Sequence, residues 1–151
     1  MRLNFKTIII GGLVFYAVQF IISMITGPLI HENILASLYR ATAEFWRPEL
    51  NQDPPDMAAL MPRWIATGLL MSFVFVGIYD NIRAAFDGSG LVKGLKFGIV
   101  LSLIYAATAA GWSGVFNLPA TIWMWWLVEG VLVYCIGGAA LGWYVDKYAS
   151  D

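Results

Sequence analysis

Glu129 is the residue whose type and setting most need explaining, because it lies inside the apolar run from Thr121 to Tyr144. A carboxylate facing hydrocarbon costs roughly 2–3 kcal/mol or more, so this one is expected to face protein or water. At ~1.5 Å per helical residue it falls about 5 Å below Trp126 and about 21 Å from Trp143, in the outer half of a membrane. At comparable depth other apolar runs offer Ser23 and Gln19, then Thr67 with Arg63 above it, then Thr108. Trp125 and Trp126, at i−4 and i−3, share the face of Glu129 and carry indole N–H donors. One reading of this polar layer is an interhelical hydrogen-bond clasp. The other is a proton or cation site open to the outer face.

Tryptophan supplies a second group. Trp46, Trp64, Trp112, Trp123, Trp125 and Trp126 fall near one predicted interface and Trp143 near the other. An aromatic belt at headgroup depth explains such rings. The asymmetry also admits an aromatic-lined pocket, with Trp112, Trp123, Trp125 and Trp126 as its wall, for a flat ligand such as a porphyrin, quinone or pigment. Other chemistry is thin. His31 is the single histidine, so one chain cannot build a histidine metal cluster or a bis-histidine haem site, and His31-Glu32 lacks the second histidine of a zinc-protease helix. Cys135, the single cysteine, sits in an apolar run, where it acts as a small apolar residue. Gly88-x-Gly90-x-x-x-Gly94 has the wrong spacing for a nucleotide loop. These residues imply no enzyme, no cofactor and no metal.

The elements that must position these groups follow from composition. The 151 residues are 60% hydrophobic and 13% charged, with a mean hydropathy of +0.70. A soluble domain carries about 25% charged residues, and the polar ones here are too few to cover a small globule. Lipid is therefore the expected solvent, and a net charge of −1 without a basic cluster excludes nucleic acid. Four apolar runs, Thr7 to Thr26, Trp64 to Ile82, Leu91 to Trp112 and Thr121 to Tyr144, reach the roughly 20 residues that a ~30 Å core needs. Each is predicted to be a helix, since a helix satisfies its own backbone in lipid. The first run is too long for a signal peptide, and Thr26-Gly27-Pro28 is a poor cleavage site, so it is read as a retained span.

With four spans, Arg2, Lys6, Arg83, Lys93, Lys96 and Lys147 share a side, and Arg40, Arg47 and Arg63 occupy the other. The bias toward the first side predicts cytoplasmic N- and C-termini and an outer loop over Gly27 to Arg63. Within that loop Ile30, Ile34, Leu38, Ala41 and Phe45 recur at helical spacing, which predicts an interfacial amphipathic helix from Leu29 to Trp46. Pro48, Pro54, Pro55 and Pro62 then predict an irregular acidic stretch. Phe86 to Gly90 reads as a tight turn making spans two and three antiparallel neighbours, and Ser113 to Pro119 as a charge-free outer loop. Gly94-x-x-x-Gly98 and Gly138-x-x-x-Gly142 have the spacing that lets two helix backbones approach, either within the bundle or against a partner helix.

Trp46-Arg47-Pro48-Glu49, the run Gly90 to Gly98, Leu118-Pro119 and Glu129-Gly130 give the chain a resemblance to small four-helix inner-membrane proteins of bacteria. The resemblance implies the same topology and a bacterial inner membrane, and no activity. The expected fold class is an all-α integral membrane protein, a single domain over residues 1–151 built as a four-helix transmembrane bundle with one interfacial helix. The expected role is a non-catalytic subunit or scaffold whose partners are the lipid bilayer and other membrane subunits or further copies of itself. The alternatives are a small proton- or cation-coupled carrier using Glu129, and a binder of a flat apolar ligand.

Overall fold

The computed structural model describes residues 4–149, all helix and connection with no strand among them; Arg2, used above for orientation, lies outside the described residues. Helix α1 spans Phe5–Thr26, α2 Ala36–Ala41, α3 Met57–Ile82, α4 Gly90–Ser113 and α5 Ala120–Tyr148. The four long helices are apolar and long enough to cross a membrane. Their outward faces carry large bare hydrophobic side chains: Leu70, Leu103 and Met124 are all more than 60% exposed. A water-facing surface does not tolerate apolar area on that scale, whereas lipid does.

Two departures from the sequence expectation trace to proline geometry. Pro28 lacks an N–H and would clash with the carbonyl four residues back. The chain answers by widening into a π-helical segment, Gly27–Ile34, which continues directly from α1 and closes with the Leu35 N–H donating to the Ile30 carbonyl at 2.8 Å. The predicted interfacial helix over Leu29 to Trp46 is therefore three pieces: this π segment, α2, and a 3₁₀ turn at Ala43–Phe45. Pro62, expected to prevent a helix, lies inside α3. It stands near the start, where Asp56 caps the helix by accepting from the Ala59 N–H at 3.1 Å, so the single hydrogen bond it deletes lies at the helix edge.

The tightest pairing is α4 on α5. Gly94, Gly98, Gly138 and Gly142 form its seam, and a Cβ on Gly94 would meet the Gly138 carbonyl and sit 2.8 Å from the Gly142 Cα. Both glycine motifs are thus spent inside the bundle. Helix α1 lies against α3 and α5, while α4 leans toward α5 and touches α3 near the chain-termini end, where the Tyr79 and Phe97 rings are 5.2 Å apart. The turn after α3 thus leads into a helix whose main neighbour is α5, not α3. Phe15, Val76, Tyr79, Phe97, Leu101, Leu141 and Val145 close the interior.

Candidate functional site: a polar clasp at the distal end

At the distal end of the bundle, opposite the termini, the chain from Thr26 to Trp46 folds over α5 as a cap. Ile30 and Leu35 from the cap and Ile122 from α5 bury one another, with Leu38, Tyr39, Trp46, Trp125 and Trp126 around them. Burying these side chains seats the cap, at roughly 1.5–3 kcal/mol for each fully buried large residue. Polar groups then fix how it sits.

Glu129 is the centre. Its Oε1 accepts from the Thr26 hydroxyl and its Oε2 lies 2.9 Å from His31 Nε2. On the other side of the imidazole, Nδ1 is 2.7 Å from the Tyr39 hydroxyl, which accepts from the Trp126 indole N–H at 2.8 Å. His31 and Tyr39 stack at 5.9 Å with their planes 11° apart. Trp46 meets the Tyr39 ring edge-on at 5.2 Å, its indole donating to the Tyr39 carbonyl at 3.1 Å and to the Thr42 hydroxyl at 3.0 Å.

Counting protons gives the network a direction. The Tyr39 oxygen takes the Trp126 proton, so its own proton is free for His31 Nδ1; Nε2 then carries the imidazole hydrogen and donates it to an ionised Glu129. The reverse arrangement would strand the tyrosine proton. Thr26 donates to the same carboxylate, sharing its proton with the Ile22 carbonyl 3.1 Å away. Burial pushes the Tyr39 phenol above its ordinary value of 10.0, against the lowering effect of the Trp126 bond. Tyr39 therefore stays a neutral donor through the physiological range.

The π segment makes this convergence possible. Thr26 and His31 are five residues apart, which in an α-helix sets side chains ~140° apart. In a π turn the same spacing is about one full turn, so both reach one carboxylate. The side chains are partly open: His31 keeps 33% of its exposure and Glu129 16%.

The other residues predicted to join Glu129 lie elsewhere. Ser23 is exposed. The Thr67 hydroxyl donates to the Arg63 carbonyl at 2.9 Å and that of Thr108 to the Ile104 carbonyl at 2.8 Å, each on its own helix and exposed. Arg63 is exposed, and the side chains that bond Glu129 are Thr26 and His31 instead. Thus the expected layer of Ser23, Thr67, Arg63 and Thr108 is replaced by Thr26, His31, Tyr39 and Trp126. Of the four tryptophans proposed as one aromatic face, Trp126 belongs to the clasp and Trp125 to the apolar seat. Trp123 lies edge-on to Trp126 at 5.4 Å, its indole N–H buried without a partner among the described residues. Trp112 stands apart, packed on Phe116 at 5.5 Å.

Among the described residues no three His, Cys, Asp or Glu side chains gather as a metal site would require. The clasp holds the cap against α5. Comparison with protein-family models, curated proteins and solved structures returns no match.

Proposed function

We propose that this chain is a non-catalytic subunit of a bacterial inner-membrane assembly, with cytoplasmic termini and a capped outer face that meets its partner. The observation that carries this reading is the closed bookkeeping of the clasp. Each proton of the relay from Trp126 through Tyr39 and His31 to Glu129 has an acceptor. A satisfied network of this kind rigidifies and specifies a shape. Below it Phe15, Leu101, Val76 and Leu141 pack as an apolar plug, which opposes passage of a proton or ion. The connection after α4 supports the contact role. Val115 is 69% exposed and Phe116 43%, in a loop without charge beside the exposed Trp112. Such a patch suits a neighbouring membrane subunit or a second copy.

Extraction of the tagged protein from native membranes in mild detergent, with particle mass and copurifying chains recorded together, tests the proposal. A particle larger than the monomer, preserved in Glu129→Gln and lost in the pair Val115→Asp, Phe116→Asp, is the expected result. A monomer that brings down nothing contradicts it. The partial exposure of His31 beside a membrane carboxylate favours one other reading, a proton-coupled carrier. That reading requires Glu129→Gln to abolish pH-coupled transport, whereas a subunit keeps its assembly.

A further inference from the structure

A second polar feature lies about 7 to 10 Å below the clasp, counting five residues along α5 and seven along α1 from Glu129 and Thr26. Here Gln19 of α1, Trp64, Thr67, Gly68, Met71 and Phe75 of α3, and Tyr134 of α5 line a cleft of about 400 Å³. Residues 64, 68, 71, 75 and 79 lie along one side of α3, next to the stripe of Ser72 and Val76 that is buried in the bundle. Toward the termini that side is closed: Tyr79 is 1% exposed. Toward the cap it stays open, with Trp64 40% and Met71 47% exposed, because α3 rests mainly on α1 and stands off from α4 and α5.

The polar groups of this cleft are not self-sufficient, in contrast with the clasp. Thr67 spends its proton on the Arg63 carbonyl. The Gln19 amide and the Tyr134 hydroxyl have no hydrogen-bond partner among the described residues, and neither occurs in any hydrogen bond of the bundle. At hydrocarbon depth water does not satisfy such groups, and an amide without a partner there costs several kcal/mol. The walls are aromatic: the Phe75 and Tyr134 rings meet edge to face at 5.8 Å, with Trp64 at the rim.

We propose that this cleft binds a neutral apolar molecule through a carbonyl oxygen, which accepts from the Gln19 amide and the Tyr134 hydroxyl while its body lies along Trp64, Met71 and Phe75. A cleft of this volume falls within the range of small-molecule sites, and an apolar wall with a few donors is their usual composition. The carbonyl belongs either to a quinone ring or to the ester of a bilayer lipid, and both enter from the membrane side. The site does not depend on the subunit role proposed above, since it involves neither the cap nor the loop at residues 113–119.

Binding to the purified full chain in maltoside detergent tests it. A short-chain benzoquinone is titrated against tryptophan fluorescence, which Trp64 in the wall makes sensitive to quenching. In parallel, diester and diether forms of phosphatidylethanolamine compete for the delipidated protein in native mass spectrometry. Saturable quinone quenching, or retention of the diester over the diether, is expected, and the arm that responds identifies the source. The pair Gln19→Leu, Tyr134→Phe lowers that affinity about tenfold or more, as the loss of two hydrogen bonds implies. Met71→Trp, which fills the cleft and leaves both donors in place, lowers it as well and guards against misfolding of the pair. Unsaturable quenching together with equal retention of the two lipids overturns the proposal, as does unchanged affinity in both variants.

Discussion

Along its termini half α5 meets α4 through backbone atoms; at its distal end it meets the cap through side-chain polar atoms. The first contact depends on what is missing. Gly94, Gly98, Gly138 and Gly142 lack the Cβ that would hold the helices apart, and the backbones approach until glycine packs on glycine. The second depends on what is present, a carboxylate in an apolar helix answered by Thr26 and His31. Lipid gives two apolar helices little reason to associate, so either close packing or polar pairing has to supply the specificity. This bundle uses one at each end of the same helix.

The two contacts fail differently when substituted. Gly94→Leu gives the largest effect, because the new side chain meets the Gly138 and Gly142 backbone, which cannot turn aside. A loss of more than about 3 kcal/mol is expected in reversible unfolding in micelles. Gly111→Ala, with nothing within 4 Å of its Cβ and a place inside α4, costs no stability and gains up to about 1 kcal/mol, and serves as the control. At the clasp, Glu129→Leu strands the His31 donor, while Thr26 keeps its bond to the Ile22 carbonyl, and costs about 1–3 kcal/mol, whereas Glu129→Gln keeps an acceptor and costs less. Hydrogen exchange confined to residues 27–46 locates that loss in the cap rather than the seam. Trp126→Phe removes one donor from Tyr39 and costs about 1 kcal/mol.

The smallest effect is a pH dependence. The folded chain holds the Tyr39 phenol above 10.0, so its contribution to cap stability is complete below that value and fades as pH rises through the higher folded one. Exchange at residues 36–46, corrected for the base-catalysed intrinsic rate, should therefore increase at alkaline pH in the native chain. In Tyr39→Phe the cap exchanges faster from the outset, and this alkaline increment disappears.

The seam was legible in the sequence because glycine at a spacing of four, inside an apolar run, has few other uses. The four long helices were legible for a similar reason: each apolar run is long enough to cross a bilayer as a helix. Half of the clasp was legible too, since a lone carboxylate in lipid demands partners. Its partners were not. Gly27-Pro28 reads as the end of a helix, and ending it there places His31 in an outer loop with no fixed relation to Thr26. The π turn at Pro28 instead keeps the helix running and brings residues 26 and 31 to one side. Ser23, Thr67 and Thr108 were placed near Glu129 by depth alone, yet depth does not give rotation. Their side chains point elsewhere, and the two threonines satisfy themselves on their own helices. Pro62 misleads in the same way, because a proline costs a helix little when it stands close to a capped start.

A double-mutant cycle between His31→Phe and Glu129→Leu, read by reversible unfolding in micelles, tests the clasp most directly. The two side chains are 98 residues apart in sequence and 2.9 Å apart in space. A partly exposed pair of this kind predicts a coupling of about 1–3 kcal/mol, with the double variant less destabilised than the sum of the singles. Additivity within about 0.5 kcal/mol would mean that the two residues do not meet, and the cap would then need another fastening.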